Sequence, residues 1–472
     1  MKINKLFTFV LISLFFIPIN QVHAGSLTTY KILQETSQSF FTSSFITSST
    51  KAIWETDTDF KLCDSVNSSE CKINKLLEKQ WFGAYLSLPV CKAKLSEWCI
   101  SGLQQQNNGK FESLKFIKYS GNTQILSQPE LGLPEGKSTS LWKNETTGEY
   151  FIVDSRLSAR LSPFYEDKFG ISDFSSDIQK VKLNPDLRVS QESLTPKIEK
   201  NILGTNELIT GSKPLECVWV SAGECGVKSE MNLNSKLVLT LNIGNEIGGW
   251  LDGRLGNPII STKKISQTQY QLKIEANPVA VPQYEAEIDT SKVPDTLKDF
   301  DLTTQFPGGK GNFANDPNFE LFNYWTSLVK NQSDKEENVW NFSSITNGNN
   351  LKCLTNNNQV LGLVTTNSTI YVGKVPELRN GSLTYQVGAP HFSSTGKVLQ
   401  GYYYLSLRKD IAKCLYKYSK TPTSAKVQIQ NIDGTSYIAT STLKESNGWL
   451  NLRVAGFTYS TPKISVSFPT KK

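Results

Sequence analysis

Histidine is almost missing from this chain: there are two, His23 and His391, in 472 residues. His23 lies in a stretch that reads as a cleaved leader, so every histidine-dependent triad or zinc site would have to be assembled around His391 alone. That residue sits in Ala389-Pro390-His391-Phe392, a turn-like setting that suits a structural or surface histidine. No G-x-S-x-G elbow, H-E-x-x-H or P-loop occurs. S-x-x-K occurs at Ser48/Lys51, Ser261/Lys264, Ser327/Lys330 and Ser406/Lys409 without its S-D-N or K-T-G companions, as chance gives in a chain rich in both residues. No cofactor or metal is expected. Charge is also scarce in one sense: after removal of residues 1–24 the formal excess is only +5, too thin for the basic face of a nucleic-acid binder.

Long apolar runs are confined to the start. Lys2 and Lys5 precede an apolar stretch from Leu6 to Ile19, shorter than a membrane span and broken by Pro18, with Val22 and Ala24 placed for cleavage before Gly25. Residues 1–24 therefore read as a signal peptide, and no membrane span is expected after cleavage. No cysteine sits at the cut to take a lipid, so the product is expected to be exported, either secreted or held on the cell surface non-covalently.

What the chain does have is cysteine in a regular arrangement. Cys63/Cys71, Cys91/Cys99 and Cys217/Cys225 share one spacing, and Cys353 and Cys414 complete an even set of eight. None of these spacings is that of a zinc site, and exported thiols oxidise, so disulfides are expected. Neighbour pairing plus Cys353 with Cys414 is the favoured connectivity, although the first four cysteines alone allow three arrangements. On the chain-entropy argument a nine-residue loop contributes about 2.6 kcal/mol and the long loop about 4 kcal/mol.

Strict apolar alternation gives the fold class. Leu237, Leu239, Leu241 and Ile243 share one strand face, as do Tyr270, Leu272 and Ile274. Tyr403, Leu405 and Leu407 repeat the pattern, followed by Val427 and Ile429, then Leu450, Leu452 and Val454, then Ile464, Val466 and Phe468. These are one-side-buried antiparallel strands. Asp433-Gly434 and Asn447-Gly448 supply hairpin turns, and Thr146-Thr147-Gly148 centres an earlier hairpin in 140–154. Helical signals are few. One starts at Asp316-Pro317, with Phe319, Phe322, Thr326 and Val329 on one stripe over about 317–330; a shorter candidate runs from Cys71 to about Gln80.

The expected architecture is mainly β: two or three antiparallel β-sandwich-like domains, disulfide-stapled, with one or two short helices. An N-terminal segment, 25–50, precedes a β-rich region, 51–290, with 184–200 as the candidate division into two lobes. A connector with the helix spans 291–350, and a C-terminal β-sandwich-like domain, immunoglobulin-like in plan, spans 351–472.

Binding chemistry is sought among exposed aromatics. Alternation turns Leu450, Leu452 and Val454 inward, which turns Trp449 and Arg453 outward; Tyr402 and Tyr404 oppose Tyr403 and Leu405. Tyr402, Tyr404, Trp449 and Arg453 are the expected binding strip, the alternative being that these outer faces meet the neighbouring domain. Trp219, Trp250, Trp325 and Trp340 read more simply as core. Carboxylate pairs for a glycosidase would come from Asp57/Asp59, Asp299/Asp301 or Asp252. Calcium ligation at Asp299-Phe300-Asp301 or Asn431-Ile432-Asp433-Gly434 lacks the spacing of a known loop. Six N-x-S/T sequons stand at Asn67, Asn144, Asn331, Asn341, Asn367 and Asn380.

The run Gly401 to Tyr416, with Asn447-Gly448-Trp449-Leu450 and Gly456-Phe457-Thr458-Tyr459, resembles the C-terminal module of a group of exported actinobacterial β-rich proteins without an assigned activity. Gly249 to Leu255 is similar to a second segment of that group. The resemblance implies a large secreted β-rich protein and carries over no functional residue. The expectation is a non-enzymatic binding or adhesion component of the cell surface or extracellular space, its partner a glycan or a protein and not a nucleic acid. The alternatives are a secreted carbohydrate hydrolase with paired carboxylates and a purely structural envelope module.

Overall fold

A computed structural model describes residues 29–34, 43–49, 60–65, 68–69, 81–92, 98–121, 123–161, 170–185, 197–200, 206–209, 217–221, 223–297, 316–345, 360–371, 376–379, 382–417, 422–430, 436–459 and 463–468. The fold is mainly β, and among the described residues seventeen strands join one hydrogen-bonded sheet. Its central run crosses the molecule in the order Ser441–Ser446, Trp449–Thr458, Gln400–Arg408, Val360–Thr366, Gly249–Arg254, Lys335–Ile345, Gly170–Asn184 and Tyr150–Leu161. Every neighbouring pair in that run is antiparallel except Gly249–Arg254 with Val360–Thr366, which is parallel.

This sheet is covered on both faces. On one side lies a five-stranded sheet, Gly256–Lys264, Gln269–Asn277, Leu237–Gly244, Cys99–Asn107 and Lys110–Ser113. Leu239, Leu241, Tyr270, Leu272 and Ile274 from that layer share a core with Phe82, Phe151, Leu251, Trp340, Leu363 and Trp449. On the other side lies a smaller sheet containing Ser382–Gly388, Lys463–Ser467 and Lys426–Gln430. Leu383, Val427, Ile429, Ile464 and Val466 from it share a second core with Trp250, Leu361, Leu405, Leu450 and Val454. The result is three β layers, and double burial explains why all seven residues of Val360–Thr366 are buried.

Helix Asp316–Leu328 packs into the second core through Phe319 and Phe322 of the expected stripe, with Val329 just beyond its end packed against that core, and also through Leu321 and Trp325, which the stripe does not include. A second helix, Lys409–Tyr416, follows directly on Gln400–Arg408 and ends at Lys417 in the left-handed region. The candidate helix at 71–80 lies outside the described residues.

The expected domain boundaries do not divide the sheets. The chain returns across 184–200 to the ladder it left, since Val181 to Asn184 pairs with Cys225 to Lys228. The supposed connector contributes Lys335–Ile345, which lies between Gly249–Arg254 and Gly170–Asn184. The boundary at 350 falls between Gly249–Arg254 and its parallel partner, Val360–Thr366. In the N-terminal segment, Thr29–Gln34 pairs with Val279–Asp289, and Phe45–Ser49 with Trp81–Ser87. The C-terminal strands form two facing sheets, the first of which continues into strands from earlier in the chain; the described residues do not show an immunoglobulin plan. Local alternation shows which side of a strand is apolar and cannot show which distant strand will pair with it.

Two of the expected disulfides are present, Cys91–Cys99 and Cys217–Cys225, with Cα separations of 4.9 and 5.5 Å. The second joins the strands of a hairpin, Cys217–Ser221 with Glu224–Lys228. Cys63 and Cys414 are also oxidised; the partners expected for them, Cys71 and Cys353, lie outside the described residues.

Candidate functional site

Where the five-stranded layer ends against the central sheet there is an open cleft of about 690 Å³, within the range of small-ligand sites. Its position follows from a local interruption. The strand Gly256–Lys264 starts with a register shift between Gly256 and Ile259, and Asn257 has φ +47°. Pro258 has no amide hydrogen to give the ladder, and asparagine tolerates left-handed backbone better than most residues. The strand therefore bends away from its neighbour and presents the exposed Asn257 to the cleft.

Tyr402 and Tyr404 stand two residues apart on Gln400–Arg408, with ring centroids 5.3 Å apart and ring planes tilted by 58°. The Tyr404 hydroxyl donates to Asn257 Oδ1 at 3.1 Å. Tyr402 packs on Val279, Val281 and Val339, and its backbone N–H donates to Asn367 Oδ1 at 3.0 Å. Asn367 Nδ2 donates to the Gln400 carbonyl at 3.1 Å, and the Tyr459 hydroxyl donates to Asn367 Oδ1. Asn367 is thus a buried brace beneath the tyrosines. Arg453, directly opposite Tyr404 in register, holds its guanidinium 5.8 Å from that ring's centroid.

The loop from Ser393 to Leu399 forms one lip. Ser393 Oγ accepts from the backbone N–H of Thr395 and Lys397, at 3.3 and 3.2 Å, and Gly396 takes φ +76°. His391 anchors this loop: its Nδ1 donates to the Tyr459 carbonyl at 2.7 Å, and its ring meets Phe392 edge-on. Its role in the fold is to hold the lip.

Burial pushes the phenols of Tyr402 and Tyr404 upward, against the opposing pull of Arg453 on each. Both stay protonated at physiological pH, and the single Tyr404 O–H is given to Asn257. Glu336 is the one carboxylate among the described lining residues; Lys397 and Arg453 are the cations, and Asn234, Asn257, Asn277, Asn367 and Gln400 supply amides. Two-carboxylate glycoside hydrolysis needs a second acid across the ligand, and the described lining residues include none beside Glu336. Asp252 is fully buried in the central sheet, where Ser343 Oγ donates to it at 3.0 Å. Asp57, Asp59, Asp299 and Asp301 lie outside the described residues, as does the Asn431 to Gly434 turn.

Of the expected exposed strip, Arg453 is exposed, Tyr402 is half-buried and Tyr404 is buried at 6% exposure; these three line the cleft and Trp449 does not. Trp449 is 2% exposed and belongs to the core beneath the five-stranded layer. Its face of Trp449–Thr458 is covered at the tryptophan end and open at Arg453. Alternation places both on one face and is blind to how far the next layer extends. Trp219, Trp250, Trp325 and Trp340 are core residues. Sequence reading missed Asn257, Glu336, Lys397 and Gln400, which come from three separate segments. The only local signal was Gly256-Asn257-Pro258, a ladder-breaking triplet between two apolar runs. Comparison with protein-family models, curated proteins and solved structures gives no match.

Proposed function

We propose that this chain is an exported, non-enzymatic binding component of the cell surface or extracellular space, and that it holds its ligand in the cleft floored by Tyr402 and Tyr404. The observation that carries the reading is the composition of the walls: protonated phenols, side-chain amides and a single carboxylate, Glu336. Such a surface hydrogen-bonds and packs against a ligand and lacks the acid–base pair that hydrolysis requires. Export is supported by the leader-like start and by disulfides, which persist in oxidising compartments. No helix among the described residues is long and apolar enough to cross a membrane.

The competing reading is a carbohydrate hydrolase working through Glu336. Incubation of the full chain with cell-surface material and polysaccharides, followed by assay for retained protein and for new reducing ends, separates the two. Retention of protein with no new reducing ends is expected. Product release that Glu336→Gln abolishes would replace the binding reading with the hydrolase. Failure to bind any surface would remove it.

A further inference from the structure

We infer that the cleft takes a neutral carbohydrate chain; this rests on the binding reading above and names its ligand class. A sugar ring presents hydroxyls that both donate and accept, together with a face of C–H groups. The cleft matches both. Side-chain amides donate and accept in the same way, and the Tyr402 ring, packed on Val279, Val281 and Val339, offers an apolar face beside Tyr404.

Charge argues for neutrality. An anion site would converge its cations on one point with their forks free. Here the Arg453 guanidinium lies over the Tyr404 ring, and Glu336 shares the lining with Arg453 and Lys397, so two cations and one carboxylate leave a formal +1 and no converging cation cluster. Nucleic acid would require a basic stripe with aromatics interleaved, and the walls offer two cations and one acid. The open form of the cleft suits the interior of a chain better than a small enclosed ligand.

The pre-formed geometry adds to this. Asn257 is held by Tyr404, and the backbone of Tyr402 by the buried Asn367. Little ordering is left for binding to impose, which is how shallow polar sites gain affinity for flexible, well-hydrated chains.

The test uses the full chain and di- to hexasaccharides of β-glucan, α-mannan and N-acetylglucosamine, with sulfated glycans and unrelated peptides as the other arms, read by calorimetry at low salt and at about 0.5 M salt. Binding of at least one neutral series is expected, with less than about threefold change across that salt range. Asn257→Gly removes the amide while keeping a residue that accepts φ +47°; it is expected to weaken binding at least tenfold with an unchanged melting temperature. Arg453→Gln is expected to change affinity less than Asn257→Gly does. Binding confined to sulfated glycans, steeply salt-dependent and lost in Arg453→Gln, overturns the inference, as does binding confined to peptides. If cell-surface retention persists and is lost in Asn257→Gly while no neutral series competes, the sugar inference fails and the binding reading stands. If nothing is retained, both fail.

Discussion

Asp154 and Asp177 stand directly opposite one another on adjacent antiparallel strands, and both are almost completely buried, at 1% and 2% exposure. Like charges directly across a ladder are destabilising. Asp154 is provided for: Arg156 donates to it at 2.8 Å and Ser87 Oγ at 2.9 Å. Asp177 is pushed up to about 7, mainly by burial and further by Asp154, with Arg156, Asn341 and Arg254 pulling the other way.

A pH dependence follows from that pair. A carboxyl whose folded pKa lies above its unfolded value, about 3.9, binds its proton more tightly when folded. Its contribution is fully present below about pH 4 and is lost as pH rises through about 7. Urea unfolding of the wild type should therefore give a lower midpoint at pH 8 than at pH 5. Asp177→Asn, which cannot ionise, should flatten this difference. An equal slope in both proteins would contradict the assignment.

Gly362 faces Trp250 across the parallel pairing, and a Cβ built on it would come within 2.3 Å of the Trp250 ring. Trp250 is buried in the second core, 1% exposed. Gly362→Ala should cost about 1–3 kcal/mol by overpacking, read as a drop in the chemical-unfolding midpoint. Trp250→Leu in the same background should recover part of the loss, because it removes the obstructing ring.

The Cys91–Cys99 bridge closes a short loop at the start of Cys99–Asn107, beside Asn242, whose Nδ2 lies 3.6 and 3.7 Å from the two sulfurs. Replacing both cysteines with serine should lower stability by about 2–3 kcal/mol on the chain-entropy argument. Intact-mass analysis before and after alkylation checks that the variant has lost one bridge. A loss below about 0.5 kcal/mol would show that the bridge contributes little.

Three described sequon asparagines, Asn144, Asn341 and Asn367, are buried with their side chains engaged. Asn144 Nδ2 donates to Gln105 at 2.8 Å, and its Oδ1 accepts the Thr146 and Thr147 amides. Asn341 Oδ1 accepts from the Arg254 backbone at 3.2 Å. Only Asn331 among the described sequons is exposed. A glycan attached before folding at the buried three would block the layers from closing. Expression in a glycosylating secretory host should yield folded material free of sugar at these three positions. Natively folded protein carrying a glycan at Asn144 or Asn367 would contradict the structure there.

The layers were legible wherever one face of a strand stays apolar. Leu239 with Leu241, Leu405 with Leu407, and Ile464 with Val466 read directly as inward faces and lie in the two cores. The Asn447-Gly448 turn was legible too, since both residues take positive φ between Ser441–Ser446 and Trp449–Thr458. The pairing of Gly249–Arg254 with Val360–Thr366 was not, because about a hundred residues of chain separate partners that no local pattern links. Trp449 was misplaced for the same reason: the layer that covers it comes from residues 99–277. The cleft was half legible. Tyr402, Tyr404 and Arg453 follow from alternation, whereas Asn257 reaches them only through the contact between layers.

The most direct test of the account is the affinity of the full chain for intact cell-surface material, measured beside Asn257→Gly and a Trp449→Phe control. Retention that falls at least tenfold in Asn257→Gly and holds in Trp449→Phe is the predicted result. Equal retention in all three proteins would place the binding surface elsewhere and contradict the assignment of the cleft.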